Sequence, residues 1–457
     1  MVAELSRFRC KEGTMRALTA RSALLVPILS IALVASGCDA PTEAVAADTQ
    51  PALQRAAPED VGMSSERLTR LHDGMQQLVD DGRLAGITTM VARRGRVVDF
   101  QTYGQRDIEA GSPMEEDAIF RIYSMSKPIT GVALMTLYEE GKFRLSDPVQ
   151  RYIPEFTDLK VAASWGADGP VLEDADHPMT IRELMSHTAG LAYGIGAPGP
   201  TDRLYATEGV LSRQQTLKDM IVKLGAMPLR HQPGTLWYYS IAVDVQGYLV
   251  EVLSGQPFDE YLRERVFGPL RMVDTGFHVP EEDHDRLAQY YGYDQDGNLT
   301  APANSGTVGS RAFLDPTTFF SGGGGLVSTT TDYMRFSLML LNGGALDGVR
   351  ILSPTTIELM TRNQMPRDNP ERSPGQGFGL DFSVVLDPVA SEFYSVGEYY
   401  WGGAAGTWFW IDPAEDLVFV GMIQQRGGRG RPSVRSISHR LTYQAIIEPL
   451  AQMEENE

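Results

Sequence analysis

The chain has 457 residues, with 40 basic and 59 acidic side chains, a formal charge of −19 and two cysteines. A chain of this length can bury a large core without disulfides or a structural metal. The acidic balance argues against nucleic acid as a partner, because neutralising phosphates requires a basic surface. Only six of the basic residues are lysines and none follows Lys223, so chemistry that needs an amine has few candidates.

The N-terminus has the pattern of an export signal. An apolar run over residues 22–35 follows Arg16 and Arg21, and it is shorter than the roughly 20 apolar residues of a membrane-spanning helix. The small residues before Cys38 resemble the lipobox of bacterial lipoproteins. We therefore expect residues 1–37 to be a signal peptide of the lipoprotein type and Cys38 to carry the lipid. An ordinary cleaved signal with an incidental cysteine is the alternative.

Export would place the protein in the periplasm or cell envelope, in contact with the membrane only through the lipid on Cys38. Removing residues 1–37 also removes Cys10 and leaves 35 basic and 57 acidic residues, a charge of −22. The single remaining cysteine excludes an intrachain disulfide. Residues 38–56, rich in Ala, Pro, Thr and Asp, are expected to form a flexible tether.

Beyond the tether, predicted strands lie near both ends of the chain. A helical pattern begins after Ser64 or Ser65 and ends near Gly82. Two strands follow at residues 86–92 and 96–103, and the middle third has the pattern of helices and polar loops. Strand patterns return near the C-terminus and precede a closing helix, at residues 380–386, 399–402, 407–411, 417–424 and, for the helix, 434–447.

This arrangement predicts one sheet built from both termini, with the first and last helices packed on it. The fold class is therefore α/β (α+β), with an antiparallel sheet flanked by helices. We expect the domain to span residues 57–450. Its sheet subdomain would comprise about residues 57–118 and 335–450, and an inserted, mainly helical subdomain about residues 119–334.

Ser124-Met125-Ser126-Lys127 is the one Ser-x-x-Lys sequence in the chain. Pro128 and an apolar helical pattern follow, which places Ser124 at a helix N-terminus and Lys127 one turn further along the same face. An amine that burial keeps neutral could take the proton of the hydroxyl. The structural alternative is a capping serine beside an exposed lysine.

Residues 120–130 resemble the active-serine block of the serine β-lactamase superfamily. The pattern is most similar to the family VIII carboxylesterases, which are related to class C β-lactamases and penicillin-binding proteins. Blocks at residues 145–149, 184–191 and 269–275 agree, and the resemblance runs from about residue 58 to residue 450. It implies a β-lactamase/transpeptidase-like fold, catalysis by Ser124 and Lys127, and no metal or organic cofactor.

The resemblance also implies the remaining site residues. Tyr239, followed by Ser240, would point its hydroxyl at the nucleophile and the lysine and would shuttle protons. Trp401, Gly402 and Gly403 stand where the superfamily commonly has Lys-Thr-Gly, and they would contact the substrate. The backbone N–H groups of Ser124 and Ala404 would form the oxyanion hole.

Two departures from the β-lactamase pattern concern the substrate. Ile241 replaces an asparagine that holds the acylamino group of β-lactams, and no lysine lies in the half of the chain where Lys-Thr-Gly would bind a carboxylate. Both departures favour neutral esters over anionic β-lactams.

The other sequence motifs give weaker indications of function or exclude one. No serine has glycine at both −2 and +2, which excludes the nucleophile elbow of α/β-hydrolases. His187 lies in a block that the superfamily uses structurally, and the glycine run at residues 322–325 lacks the lysine of a P-loop. The acidic run at residues 281–285 lacks the histidine spacing of a metal site.

The predicted function is a serine carboxylesterase that hydrolyses small uncharged esters through an acyl-enzyme on Ser124, with a small-molecule ester as its partner. Two alternatives remain open. One is a β-lactamase or D,D-peptidase that acts on amide bonds, and the other is a non-catalytic penicillin-recognising envelope protein.

Overall fold

The computed structural model describes residues 50–195, 199–301, 313–366, 373–426 and 433–450. The predicted signal peptide, Cys38 and most of the predicted tether lie outside these residues. Within the described ranges, no helix has the length and apolar character needed to cross a bilayer.

Among the described residues the strands are, in chain order, β1 (Gly86–Arg93), β2 (Arg96–Asp107), β3 (Ser112–Pro113), β4 (Ile119–Arg121), β5 (Lys160–Gly166), β6 (Gly169–Asp174), β7 (Gly292–Tyr293), β8 (Leu299–Thr300), β9 (Val327–Thr329), β10 (Ala345–Leu346), β11 (Val349–Arg350), β12 (Gln376–Phe378), β13 (Ser383–Val385), β14 (Tyr399–Gly402), β15 (Trp408–Asp412) and β16 (Leu417–Met422). The α-helices of the same ranges are α1 (Ser65–Asp80), α2 (Ser126–Glu139), α3 (Ile181–Met185), α4 (Pro200–Thr207), α5 (Leu217–Gly225), α6 (Ala242–Ser254), α7 (Phe258–Leu262), α8 (Gly268–Leu270), α9 (Thr330–Leu341), α10 (Pro354–Thr361), α11 (Pro388–Ser391) and α12 (Val434–Tyr443).

Eight strands form one antiparallel sheet in the order β12-β13-β14-β15-β16-β1-β2-β3. The N-terminal strand β1 pairs with the C-terminal strand β16, with Thr88 opposite Met422 and Arg93 opposite Leu417. The two ends of the domain therefore meet in the middle of the sheet, which confirms the prediction of one sheet built from both termini.

Strand β1 is buried along its whole length because helices cover both faces of the sheet. Met90 and Ala92 enter the larger core, which also holds the apolar side chains of α2 and α9. Ile87 and Val91 point into a second core with α1 and α12. The alternation of strand side chains thus divides one strand between two cores, and the predicted packing of the first and last helices is confirmed.

Hydrogen bonds hold the start of the domain in place at the cap of the first helix and along the residues before it. The Ser64 side chain accepts a hydrogen bond from the Arg67 amide and caps α1, as predicted. Upstream, the Ala56 amide donates to Val97 and the Val97 amide donates to Gln54, so this stretch lies along β2. The last residues of the predicted tether, from residue 50 onward, are therefore packed on the domain instead of forming a free linker.

The inserted region contains more strand than the sequence pattern indicates. Strands β5 and β6 form a hairpin, and β7 pairs with β8. Strands β7 and β8 are two residues long, too short to produce a visible alternation. The pairing of β4 with β9 matters most, since it sets the segment before Ser124 beside the segment that follows the glycine run.

Candidate active site

Ser124 lies in a one-turn 3₁₀ helix, Tyr123–Met125, that joins β4 directly to α2. Pro128 occupies the first turn of α2, where its missing N–H costs no hydrogen bond. Tyr123 has a φ of 43°, a conformation that costs a non-glycine residue about 1–3 kcal/mol and is concentrated at functional sites. The nucleophile candidate is therefore held at the entrance to a helix by a strained connection.

Lys127 is fully buried and its ammonium has three acceptors. Its Nζ donates to Ser124 Oγ at 3.4 Å, to Tyr193 Oη at 3.2 Å and to the Gly323 carbonyl at 2.6 Å. An ammonium has three N–H donors, whereas a neutral amine has two. The charged form of Lys127 can donate to all three partners, whereas a neutral amine would have to accept one of these hydrogen bonds from the Ser124 or Tyr193 hydroxyl.

The electrostatics agree with this geometry. Burial acts to lower the pKa of Lys127, but Tyr193, Tyr239 and Asp244 together outweigh burial, so the pKa is raised above its usual value. This differs from the neutral lysine expected from the sequence. The physical reason is the buried Asp244 carboxylate and the two phenols, none of which the Ser-x-x-Lys spacing reveals.

The glycine run at residues 322–325 is fixed to α2. Besides the Lys127 bond to Gly323, Thr130 Oγ1 donates to the Gly322 carbonyl at 2.9 Å, and the Leu326 amide donates to Ser126 Oγ at 3.2 Å. Behind the loop, Asp244 Oδ1 accepts from the Gly323 amide at 3.2 Å and from the Ser321 hydroxyl. The Asp244 carboxylate thus stabilises the loop that holds the lysine.

Two tyrosines flank Lys127. Its Nζ lies 4.5 Å from the ring centroid of Tyr239 and 5.3 Å from that of Tyr193, and the two rings meet edge to face at 5.1 Å. The Tyr239 hydroxyl is buried, and within the described ranges it has no hydrogen-bond partner. A buried donor without a partner is rare in a folded protein, which marks Tyr239 as a candidate functional residue.

His187 positions the segment that carries Tyr239. Its Nδ1 accepts from the Ser240 amide at 3.2 Å, its carbonyl accepts from the Tyr238 amide at 2.8 Å, and its ring packs 4.9 Å from the Tyr239 ring. These contacts fit the structural role that the sequence assigned to the block containing His187.

The predicted oxyanion donors share one cleft, because Ser124 and Ala404 both line it. Gly403 makes this approach possible, since a Cβ there would lie 2.3 Å from the Ile122 carbonyl oxygen and 2.2 Å from Thr407 Oγ1. The backbone turn that carries Ala404 thus packs directly against the residue two positions before Ser124.

The other predicted substrate contacts lie at the end of β14. Trp401 is half-buried and packs 5.4 Å from both the Tyr239 and the Phe378 rings. Gly402 pairs with Trp408 across the sheet. Of the predicted site residues, Ser124 and Ala404 line the cleft, whereas Lys127, Tyr239, Trp401, Gly402 and Gly403 are not among its lining residues. The Trp401 ring packs on Tyr239, which in turn flanks Lys127.

The cleft has a volume of about 430 Å³. Its walls are mostly aromatic and apolar, with two arginines, and they comprise Tyr123, Ser124, Tyr193, Ile195, Leu211, Arg213, Asp244, Tyr290, Phe313, Phe319, Ser321, Gly323, Gly324, Gly325, Ala404 and Arg426. No group of three or more His, Cys, Asp or Glu side chains that could hold a metal ion occurs in the described part of the chain.

Comparison with known proteins places this site in a family. The sequence profile of the Beta-lactamase family matches residues 71–443. The chain belongs to the beta-lactamase family. Esterase EstB of Burkholderia gladioli is 33% identical over 76% of this chain and 88% of its own length. An uncharacterised protein of Mycobacterium tuberculosis is 39% identical over 77% of this chain and 88% of its own length.

A solved structure extends the likeness to the fold. EstCE1, described as a hydrolase with promiscuous acyltransferase activity, superposes with a TM-score of 0.70 and 29% identity over 84% of this chain and 99% of its own. These matches confirm the β-lactamase/transpeptidase-like fold and show that this beta-lactamase family member is a serine hydrolase.

Sequence reasoning missed three residues of the site. Tyr193 lies two residues beyond the block at 184–191, and Asp244 lies five residues beyond Tyr239, near the start of α6. Proximity to those motifs is the signal that could have found them. Arg213 lies in no recognised motif, and only the folded cleft reveals it.

Proposed function

We propose that this family member is a carboxylesterase that cleaves small carboxylic esters through an acyl-enzyme on Ser124. The observation that carries the proposal is the hydroxyl of Ser124, which lies at a cleft, accepts a hydrogen bond from a buried ammonium and shares the cleft with Ala404. A nucleophile, a cation beside it and a nearby backbone turn are the parts that acyl transfer requires.

In the proposed reaction, Ser124 Oγ attacks the ester carbonyl and loses its proton to the Lys127–Tyr239 pair. Tyr239 is the proposed proton acceptor of this pair, and the Lys127 Nζ lies 4.5 Å from the centroid of its ring. The oxyanion accepts hydrogen bonds from the Ser124 and Ala404 amides. The proton then passes to the departing alcohol, and water releases the acid by the reverse sequence.

The end of β14 offers the substrate no cation. Trp401, Gly402 and Gly403 present an aromatic ring and bare backbone where a lysine would bind a carboxylate. The part of the substrate that lies along this edge is therefore proposed to be small and uncharged.

The test compares two serine variants on 4-nitrophenyl butyrate. Ser124→Ala should lose at least 10³-fold in kcat, because the nucleophile is gone, whereas Ser433→Ala, an exposed serine at the start of α12, should retain wild-type kcat. Mass spectrometry of a phosphonate adduct should place the label on Ser124. Near-wild-type turnover by Ser124→Ala would overturn the assignment.

The same proteins distinguish the two alternatives. Nitrocefin turnover that exceeds ester turnover would favour a β-lactamase or D,D-peptidase. Failure of the wild type to form any adduct would favour a non-catalytic penicillin-recognising protein.

We also propose that the protein is exported and anchored in the cell envelope by a lipid on Cys38. Cys38→Ala should move the protein from the membrane fraction to the soluble fraction and abolish incorporation of labelled palmitate. Cys10→Ala, the matched control, should leave both unchanged, since Cys10 lies in the segment expected to be removed. Unchanged membrane association of Cys38→Ala would contradict the anchor.

A further inference from the structure

Arg213 is a half-buried cation in the wall of the active-site cleft. Its guanidinium stacks on Phe313, with Cζ 4.4 Å from the ring centroid. Within the described ranges no carboxylate or other acceptor receives a hydrogen bond from its side chain. Burial lowers the pKa of Arg213, and Tyr123 is the one titratable neighbour that acts to raise it.

The absence of a bonded counter-charge distinguishes Arg213 from four other arginines that are removed from solvent. These four have carboxylate partners, in the Arg93–Glu415, Arg230–Asp202, Arg286–Asp274 and Arg335–Asp347 pairs, whereas the buried Arg121 donates to the Ala288 carbonyl and to Gln424. A desolvated charge without a partner is costly. The chain has 59 acidic side chains, but none of those described forms an ion pair with Arg213.

Neither the other carboxylate of the cleft nor the segments next to the lining residues supply a counter-charge for Arg213. Asp244 lines the same cleft, but it is already bound by Ser321 and Gly323 and faces the Lys127 charge. Residues 196–198, 302–312 and 427–432, which adjoin lining residues in the sequence, contain no Asp or Glu.

A second unpartnered donor lies beside Arg213. The Tyr123 hydroxyl is buried without a hydrogen-bond partner in the described part of the chain. Burial raises the pKa of Tyr123 to about 12, so the phenol keeps its proton at neutral pH and can donate it. Tyr123 directly precedes Ser124, and therefore the two donors stand next to the reacting centre.

We propose that Arg213 and Tyr123 form a subsite for a carboxylate carried by the ester substrate. The inference rests on the proposed esterase function and specifies its substrate class as esters that bear a carboxylate away from the cleaved bond. A planar guanidinium matches a carboxylate with two parallel hydrogen bonds, and stacking on Phe313 fixes the plane. The uncharged part of such a substrate would lie along β14, and its charged end would lie at Arg213.

The experiment measures kcat/KM for two matched pairs of esters. One pair is mono-4-nitrophenyl adipate and 4-nitrophenyl hexanoate, which differ by a carboxylate on the acyl side. The other is the butyrate esters of 3-hydroxybenzoate and of methyl 3-hydroxybenzoate, which differ on the alcohol side. The wild type should prefer the carboxylate ester in one pair, and the preference should decrease as salt is added.

Arg213→Gln should reduce that preference ratio at least tenfold, and Arg213→Lys should keep part of it because the charge remains. Tyr123→Phe should reduce it about threefold. Arg362→Gln, an exposed arginine paired with Glu358, is the matched control and should leave the ratio unchanged.

Equal rates for both members of both pairs, or an unchanged ratio in Arg213→Gln, would overturn the subsite. Loss of the preference in Arg426→Gln alone would also overturn the proposed subsite, because the substrate carboxylate would then bind Arg426, the other arginine of the cleft. Absence of turnover on every ester would instead refute the esterase function, so the two failures are distinguishable.

Discussion

Lys127 shows how one residue changes its chemistry through its surroundings. The spacing from Ser124 suggests an amine that removes a proton, but three acceptors and a raised pKa make the group an ammonium. An ammonium cannot accept a proton, but it stabilises negative charge on a neighbouring group. We therefore expect the base to be one of the two phenols beside Lys127, Tyr193 or Tyr239.

We expect Tyr239 to be the base, because its buried hydroxyl has no partner among the described residues, whereas Tyr193 already accepts from Lys127. Tyr239→Phe should lower kcat on 4-nitrophenyl butyrate at least 10²-fold, the usual contribution of general base catalysis. Tyr193→Phe should lower it by less than tenfold. The matched control is Tyr238→Phe, whose hydroxyl donates to Asp202, and it should retain wild-type kcat. The reverse order of the first two variants would assign the base to Tyr193.

At the scale of elements, the end of β14 and the entrance to α2 form a single unit. Gly403 lets the strand end pack against the Ile122 carbonyl, and the Thr407 hydroxyl donates to the same carbonyl at 3.3 Å. The strand pattern predicted the hairpin of β14 and β15. It did not predict this contact, because the sequence pattern of a turn glycine is the same whether or not another backbone segment packs against that glycine.

A methyl group at residue 403 should therefore separate the two oxyanion donors. Gly403→Ala should reduce kcat at least tenfold with a smaller change in KM, since loss of an oxyanion donor costs roughly 10²–10³ in rate. Gly166→Ala, in the hairpin of β5 and β6, is the matched control, because its Cβ would meet no atom closer than 3.8 Å. Steady-state kinetics on 4-nitrophenyl butyrate measure both, and wild-type kcat in Gly403→Ala would contradict the role of this contact.

At the scale of the whole molecule, Arg93 ties the two ends of the domain together. From the end of β1 its buried guanidinium donates to the Val61 and Gly62 carbonyls, to the Glu415 side chain at 2.5 Å and to the Glu448 carbonyl. Segments more than 350 residues apart in sequence thus share one cation.

Arg93→Gln should lower the free energy of unfolding by about 3 kcal/mol, because removing one partner leaves buried acceptors and a carboxylate uncompensated. Urea unfolding followed by tryptophan fluorescence measures the change. The exposed bond of Arg96 to the Asp60 carbonyl makes Arg96→Gln the control, with an expected change below about 0.5 kcal/mol. Equal effects of the two variants would show that Arg93 does not hold the ends together.

The sequence by itself determined the elements whose patterns are local. The capping serine of α1, the helix that follows Lys127 and the terminal strands are all specified by residues close in the chain, and the structure contains each of them. The sheet from both termini also followed, because strands at the two ends have no other partners for their apolar faces.

Only the tertiary structure decided the electrostatics and the specificity of the site. The charge on Lys127 depends on Tyr193 and Asp244, which are 66 and 117 residues away in sequence. The proposed role of Arg213 arises because folding brings it into the cleft of Ser124 with no carboxylate bonded to its guanidinium among the described residues. Helical and strand periodicity depend on neighbours along the chain, whereas the pKa of a group depends on every charge and dipole packed around it. That is why the sequence predicts a nucleophile at Ser124 but not the charged groups and phenols that surround Lys127 beside it.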